Sequence, residues 1–199
     1  MGNDYSIKCS DGYSMPAVGM VLNFSSEFMR KHLKESKENE FICEHKIDVI
    51  KPIIIYLHSL CFRMPKSFDI DFVDRLLDAI DFFDPEQRDE IEKVIEESLC
   101  NKFVEEPSNF DSILQWFKIS LKHELTVLLR MISTLIANKY YFQWDQTFHL
   151  NTYENPLFID IFGPEGHILI EEPGSLIRRT CRSIIFIFRN SFFTKTVLN

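Results

Sequence analysis

The side chains with chemistry to offer are six histidines, five cysteines and 30 acids in a chain of 199 residues. The histidines (His32, His45, His58, His123, His149 and His167) are scattered. No two share metal-ligand spacing with a cysteine or carboxylate on one face. There is no Gly-x-Ser-x-Gly elbow, and with 6 glycines no phosphate-cradling loop. The run from Glu86 to Glu97 sets carboxylates three and four apart, as a carboxylate metal site would. Its Arg88 and Lys93, and the stripe Ile91, Val94, Ile95 and Leu99, read instead as the solvated side of an amphipathic helix. His58 closes an apolar stretch and reads as a satisfied structural histidine. No catalytic, cofactor-binding or metal-binding residue is assigned, and the expectation is a non-enzymatic protein.

The composition bears on partners. Apolar residues make up 45% of the chain, enough for a substantial core, and phenylalanine occurs 19 times. A Phe-rich chain has either a heavy core or adhesive faces kept for a partner. The net charge of −8 argues against nucleic acid, whose binding needs a basic surface. Cys9, Cys43, Cys61, Cys100 and Cys181 are odd in number and form no Cys-x-x-Cys pair. They read as reduced thiols of a cytoplasmic or nuclear protein. No apolar run approaches membrane-spanning length, and no membrane partner is expected.

The elements that must position these side chains follow from periodicity. Tyr5, Ile7 and Cys9 alternate as in a half-buried strand. Ser10-Asp11-Gly12 is a tight turn, and Tyr13 to Met15 returns as a second strand. Pro16 opens a helical stretch. Ser25-Ser26 caps a helix from Glu27 to Glu35, and Phe41 to Cys43 forms a third strand. Asp48 caps a helix with Val49, Ile50, Ile53, Ile54 and Leu57 on one face and Pro52 near its first turn. After the loop Cys61 to Asp69 comes a helix with Phe72, Leu76, Leu77, Ile80 and Phe83 in register. Asp84-Pro85-Glu86 starts another.

A faint internal repeat follows. Asp74 to Phe103 aligns without gaps on Asp111 to Tyr140, so that Leu77 meets Leu114, Ile80 meets Phe117, Ile91 meets Leu128 and Ile95 meets Ile132. Both segments read as helix pairs with the same inward face, a pattern that two unrelated helical hairpins also give. Beyond Trp144, Leu157 to Phe162 and His167 to Ile170 read as strands. The basic final segment has three readings: a site for an acidic partner, a contact with anionic membrane, or a core strand. The continuous apolar run Ile184 to Phe188 favours the core strand.

The order strand, strand, helix, helix, strand, helix, loop, helix, helix resembles the BTB/POZ fold, including small relatives such as elongin C. The carrying stretches are IKCSDGYSM, VLNFSSEFM, DVIKPIIIYLHSL and DFVDRLLDAIDFF. Within them Asp11-Gly12, Val21-Leu22, Ser25, Phe28, Tyr56-Leu57 and Leu76-Leu77 match the family in kind and spacing. The resemblance implies an α+β fold: a small sheet capped by helical hairpins over residues 5–103, a BACK-like helical extension over 104–145, and an unassigned segment over 146–199. It implies no chemistry, no cofactor, and a docking module that assembles a multiprotein complex.

The resemblance also suggests partner-binding residues. Val18, Val21 and Leu22 belong to the first helix, through which such domains self-associate, although Val18 and Gly19 stand where those members often carry polar or basic residues. Only a few residues precede the first strand, which leaves little for an N-terminal strand swap. Phe72-Val73-Asp74 aligns with the apolar–any–acid triplet of cullin-binding members. There Phe72 would enter a cullin pocket and Asp74 would cap or hydrogen-bond nearby; equally, Phe72 packs in the core and Asp74 caps its own helix. The expected partner is therefore a protein, either a cullin or a homo- or heterodimer mate of BTB type. The leading reading is an assembly module. The alternatives are a substrate adaptor of a cullin-RING ubiquitin ligase, and an enzyme subunit with its activity in the C-terminal third.

Overall fold

A computed structural model describes residues 4–105 and 109–148. The chain divides into two compact units, residues 1–102 and 103 onward. The expectations for the segment after Phe148, including its strands and its basic end, lie outside the described residues.

The first unit is built on a three-stranded sheet. β1 (Tyr5–Lys8) pairs antiparallel with β2 (Ser14–Ala17) and parallel with β3 (Glu40–Ile42), giving the order β2-β1-β3. Ile7 lies opposite Met15 on one side and Phe41 on the other. Gly12 turns the hairpin at φ 85°, a conformation that suits glycine. Pro16 does not open a helix: it lies within β2, opposite Ser6. Its missing N–H is tolerated there because β2 is an edge strand.

So short a sheet cannot bury itself and must be roofed by helices. These are α1 (Gly19–Ser25), α2 (Glu27–Glu35), α3 (Ile47–Ser59) and α4 (Ile70–Phe83). Ile7, Leu22, Met29, Ile50, Ile53, Leu76 and Ile80 are fully buried among them. Phe28 of α2, Phe41 of β3 and Phe82 and Phe83 of α4 form an aromatic cluster, with His32 and His45 packed edge-on to Phe41 and Phe82 respectively. The architecture is thus α+β, with a small sheet capped by helical hairpins.

Helix capping departs from expectation at α3. The helix begins at Ile47, and Asp48 lies inside its first turn. The N–H of Ile47 donates instead to Oδ2 of Asp11, at 3.1 Å, so the hairpin turn docks onto the helix start. Pro52 consequently falls beyond the first turn and cannot donate to the carbonyl of Asp48. α4 is capped by Asp69, whose Oδ1 accepts from the N–H of Phe72 at 2.7 Å. Asp84 ends α4 in the left-handed region at φ 45°, and the next helix, α5 (Arg88–Glu105), starts later than Asp84-Pro85-Glu86 suggested. The acidic run behaves as a solvated face: Arg88 pairs with Glu92 one turn on and with Asp81 of α4.

In the second unit α6 (Phe110–Lys122), α7 (Thr126–Lys139) and α8 (Tyr141–Phe148) follow in order. Asn109 caps α6 by accepting from the N–H of Ser112. Trp144 is fully buried and meets Phe117 edge to face, with ring centroids 5.2 Å apart. The internal repeat thus aligns α4 and α5 with α6 and α7. Its equivalent positions are buried except Leu114, which is half-buried.

Candidate protein-docking surface

The candidate surface is centred on α1. This helix is seven residues long and has no side-chain cap of its own at Val18. Two distant side chains hold its N-terminus instead. Asp4 Oδ1 accepts from the N–H of Gly19 at 2.8 Å, setting a carboxylate at the positive end of the helix. His58 Nε2 accepts from the N–H of Val18 at 2.9 Å, while its Nδ1 donates to the carbonyl of Ile54 at 2.8 Å. One imidazole therefore joins the end of α3 to the start of α1. His58 is satisfied and structural, as its position in the sequence implied.

At its other end, α1 is anchored by the bend into α2. Ser26 is fully buried, caps α2 through the N–H of Met29 at 3.1 Å, and donates its hydroxyl to the carbonyl of Phe83. Leu22 points inward and is fully buried. With both ends and one face fixed, the opposite face is presented rigidly. It carries Met20, 57% exposed, and Phe24, 69% exposed, one turn apart. Val18 and Val21 are half-buried beside them.

A groove of about 450 Å³ runs along this face, with Tyr5, Met20, Phe24, Leu33 and Glu38 among its lining. The Tyr5 hydroxyl is buried and has no hydrogen-bond partner among the described residues. Burial, and then the charge of Glu38, raise its pKa above the usual tyrosine value.

The residues expected to bind partners divide between two helices. Val18, Val21 and Leu22 come together at α1, with Leu22 facing the core. Phe72 lies in the first turn of α4 and is 8% exposed; Asp74 is half-buried further along. The cap of that helix is Asp69 rather than Asp74. Met20 and Phe24 were not among the partner-binding residues expected from the sequence. Their i, i+4 spacing is visible, but it does not tell an inward apolar pair from an outward one.

The described residues include no helix long and apolar enough to cross a membrane. No family model matches the chain, and no curated protein matches it. Among solved structures, the BTB (Tramtrack and Bric a brac) domain of human gigaxonin is similar at 19% identity. That similarity covers 51% of this chain and 76% of the other, with a TM-score of 0.36.

Proposed function

We propose that this chain is a protein–protein interaction module of BTB/POZ type, non-enzymatic, which assembles a multiprotein complex through the outer face of α1. The observation that carries this reading is the pair Met20 and Phe24. They stand exposed on a helix that buries Leu22 on its other side and whose ends are both tied down. Large apolar side chains held outward on a helix that also buries Leu22 are what a partner polypeptide would cover. Large, rigidly presented apolar side chains beside a groove are what interface hot spots use. A stable contact centred there would bury about 1,600 Å² in total. The four sequence stretches that resemble the family, and the sheet order β2-β1-β3 with its helical roof, support the same reading. Phe72 is not presented for insertion into a partner, so the cullin-adaptor alternative gains no support from its position.

The test compares the full chain with the double variant Met20→Glu, Phe24→Glu. Light scattering reads self-association, and affinity purification from the native cell with mass spectrometry reads other partners. The wild type is expected to bring down a stoichiometric protein or a second copy, and the variant to lose it at an unchanged melting temperature. The same partners on both proteins, or a partner on neither, would overturn the proposal.

A further inference from the structure

A second surface lies on α3, away from the residues assigned to the α1 face. The helix stops abruptly: Leu60 adopts φ 54°, and the Ser59 hydroxyl both donates to the carbonyl of Ile55 at 2.7 Å and accepts from the N–H of Cys61 at 3.2 Å. The following loop is pinned by Phe62, which is buried against the ring of Tyr56. The loop thus runs beside the outer face of α3, leaving a groove of about 460 Å³. Pro52 and Ile55 line it from the helix, and Met64 and Pro65 from the loop. Ile55 is 44% exposed.

The charge around this trough opposes that of the chain. Lys51 and Arg63 line it, and neither makes an ion pair among the described residues. The lining acid, Asp48, is held by a two-pronged bond from Arg75, 2.8 Å at each contact. The groove therefore offers two cations with no ion pair among the described residues, over an apolar floor, on a protein whose net charge is −8. An apolar floor takes a side chain, and free cations at its rim select carboxylates.

We infer that this groove binds a short acidic peptide segment of a partner protein, anchored by one apolar side chain between Ile55 and Met64, with its carboxylates on Lys51 and Arg63. The groove does not depend on the α1 face, so a partner held on α1 would gain a second attachment point here.

The test uses the full chain and a short fluorescein-labelled peptide of Asp and Glu around a single Leu, followed by anisotropy. Binding is expected, weakening with added salt. Lys51→Glu and Arg63→Glu should each reduce it about tenfold, as should replacing the peptide's Leu by Ser. Ile55→Ser should abolish it at an unchanged melting temperature. The peptide should also protect the exposed Cys61, which lines the groove, from alkylation. The α1 variant Met20→Glu, Phe24→Glu should bind the peptide as the wild type does, which separates the two surfaces. The inference is overturned if no peptide binds, or if a Lys peptide binds equally. It is also overturned if the groove variants leave binding intact, or if Arg63→Glu instead disperses a dimer seated on the groove.

Discussion

The hydroxyl of Ser26 donates to the backbone carbonyl of Phe83, 57 residues further along the chain. The same oxygen accepts from the N–H of Met29, so one buried side chain starts α2 and closes the end of α4. Two backbone bonds flank it: Glu27 N–H to the carbonyl of Asp84, and Glu86 N–H to the carbonyl of Ser25. Arg30 adds ion pairs to Glu27 and Glu86. The bend between α1 and α2 is thereby locked to the corner between α4 and α5, and the outward face of α1 inherits its orientation from that lock.

Ser26→Ala should accordingly destabilise the fold by about 2 kcal/mol, because it removes a helix cap and leaves the carbonyl of Phe83 without its donor. Ser25→Ala next door loses only a hydroxyl bond to the carbonyl of Val21 within its own helix and should cost less than about 0.5 kcal/mol. Urea unfolding of both variants makes the comparison. Equal midpoints for Ser26→Ala and wild type would remove the lock from the account.

What was readable in the sequence follows the range of the forces involved. β1, the turn at Gly12, α2 and α4 rest on local alternation, a positive-φ glycine and helical periodicity, all visible in short windows. Ser26 as a cap is equally local. The start of α3 was not readable, because its first N–H is satisfied by Asp11, 36 residues earlier. Pro16 signals a helix opening by local rules, and only the pairing with Ser6 makes it an edge-strand residue. The docking surface shows the same divide. Periodicity marks Leu22 as apolar and Met20 and Phe24 as apolar alike. Which of them faces out is decided by Asp4, His58 and Phe83, contacts made across the fold.

The Asp48–Arg75 pair carries an acid dependence. The hydrogen bond from Arg75 is the main cause holding the Asp48 carboxyl below its usual range, with burial opposing and the charge of Arg75 assisting. A lowered folded pKa means that the stabilisation is complete above the unfolded carboxylate value near 3.8 and is lost as pH falls through the folded value. Both side chains are more than a third exposed, so the contribution at neutral pH should stay below about 1 kcal/mol. Arg75→Gln should lower stability at pH 7 and converge with wild type in strong acid. A difference that persists or grows in acid would assign the effect to packing.

His45 supplies a second, higher window. Burial lowers its pKa below 6.5, against the opposing charges of Asp78 and Glu44. Its ring meets Phe82 at 5.4 Å between centroids, on the aromatic cluster. The folded state therefore binds a proton less readily than the unfolded chain. Stability should be constant above about pH 6.5 and fall as pH drops below it toward the folded value. His45→Gln should flatten that slope in denaturation midpoints taken across the range, and an unaltered slope would exclude His45 as its source.

The thiols should separate by reactivity. Burial, with Cys43 and Asp11 adding to it, pushes Cys9 up to about 11, and burial is the main cause raising Cys43. Neither is accessible or a thiolate near neutrality, whereas Cys61 is exposed. Brief iodoacetamide treatment of the native protein should modify Cys61 and spare Cys9 and Cys43, with both reacting once urea unfolds the chain. Peptide mapping by mass spectrometry reads each site, and early modification of Cys9 would show that the hairpin opens without global unfolding.

Tyr5 separates stability from binding. The residue is 6% exposed under the α1 groove, and its hydroxyl is buried without a hydrogen-bond partner among the described residues. A buried, unsatisfied hydroxyl opposes folding, so Tyr5→Phe should leave stability unchanged or raise it by up to about 1 kcal/mol. The ring itself fills space beside Gly19, where even a methyl group would lie 3.9 Å from it, so Tyr5→Ala should open a cavity and cost about 3 kcal/mol or more. Because the ring stays in place under the groove and the hydroxyl is buried, Tyr5→Phe should leave association through α1 intact while the unfolding midpoint holds or rises. A midpoint that falls instead would mean that the hydroxyl is bonded within the fold and that the groove floor is already satisfied.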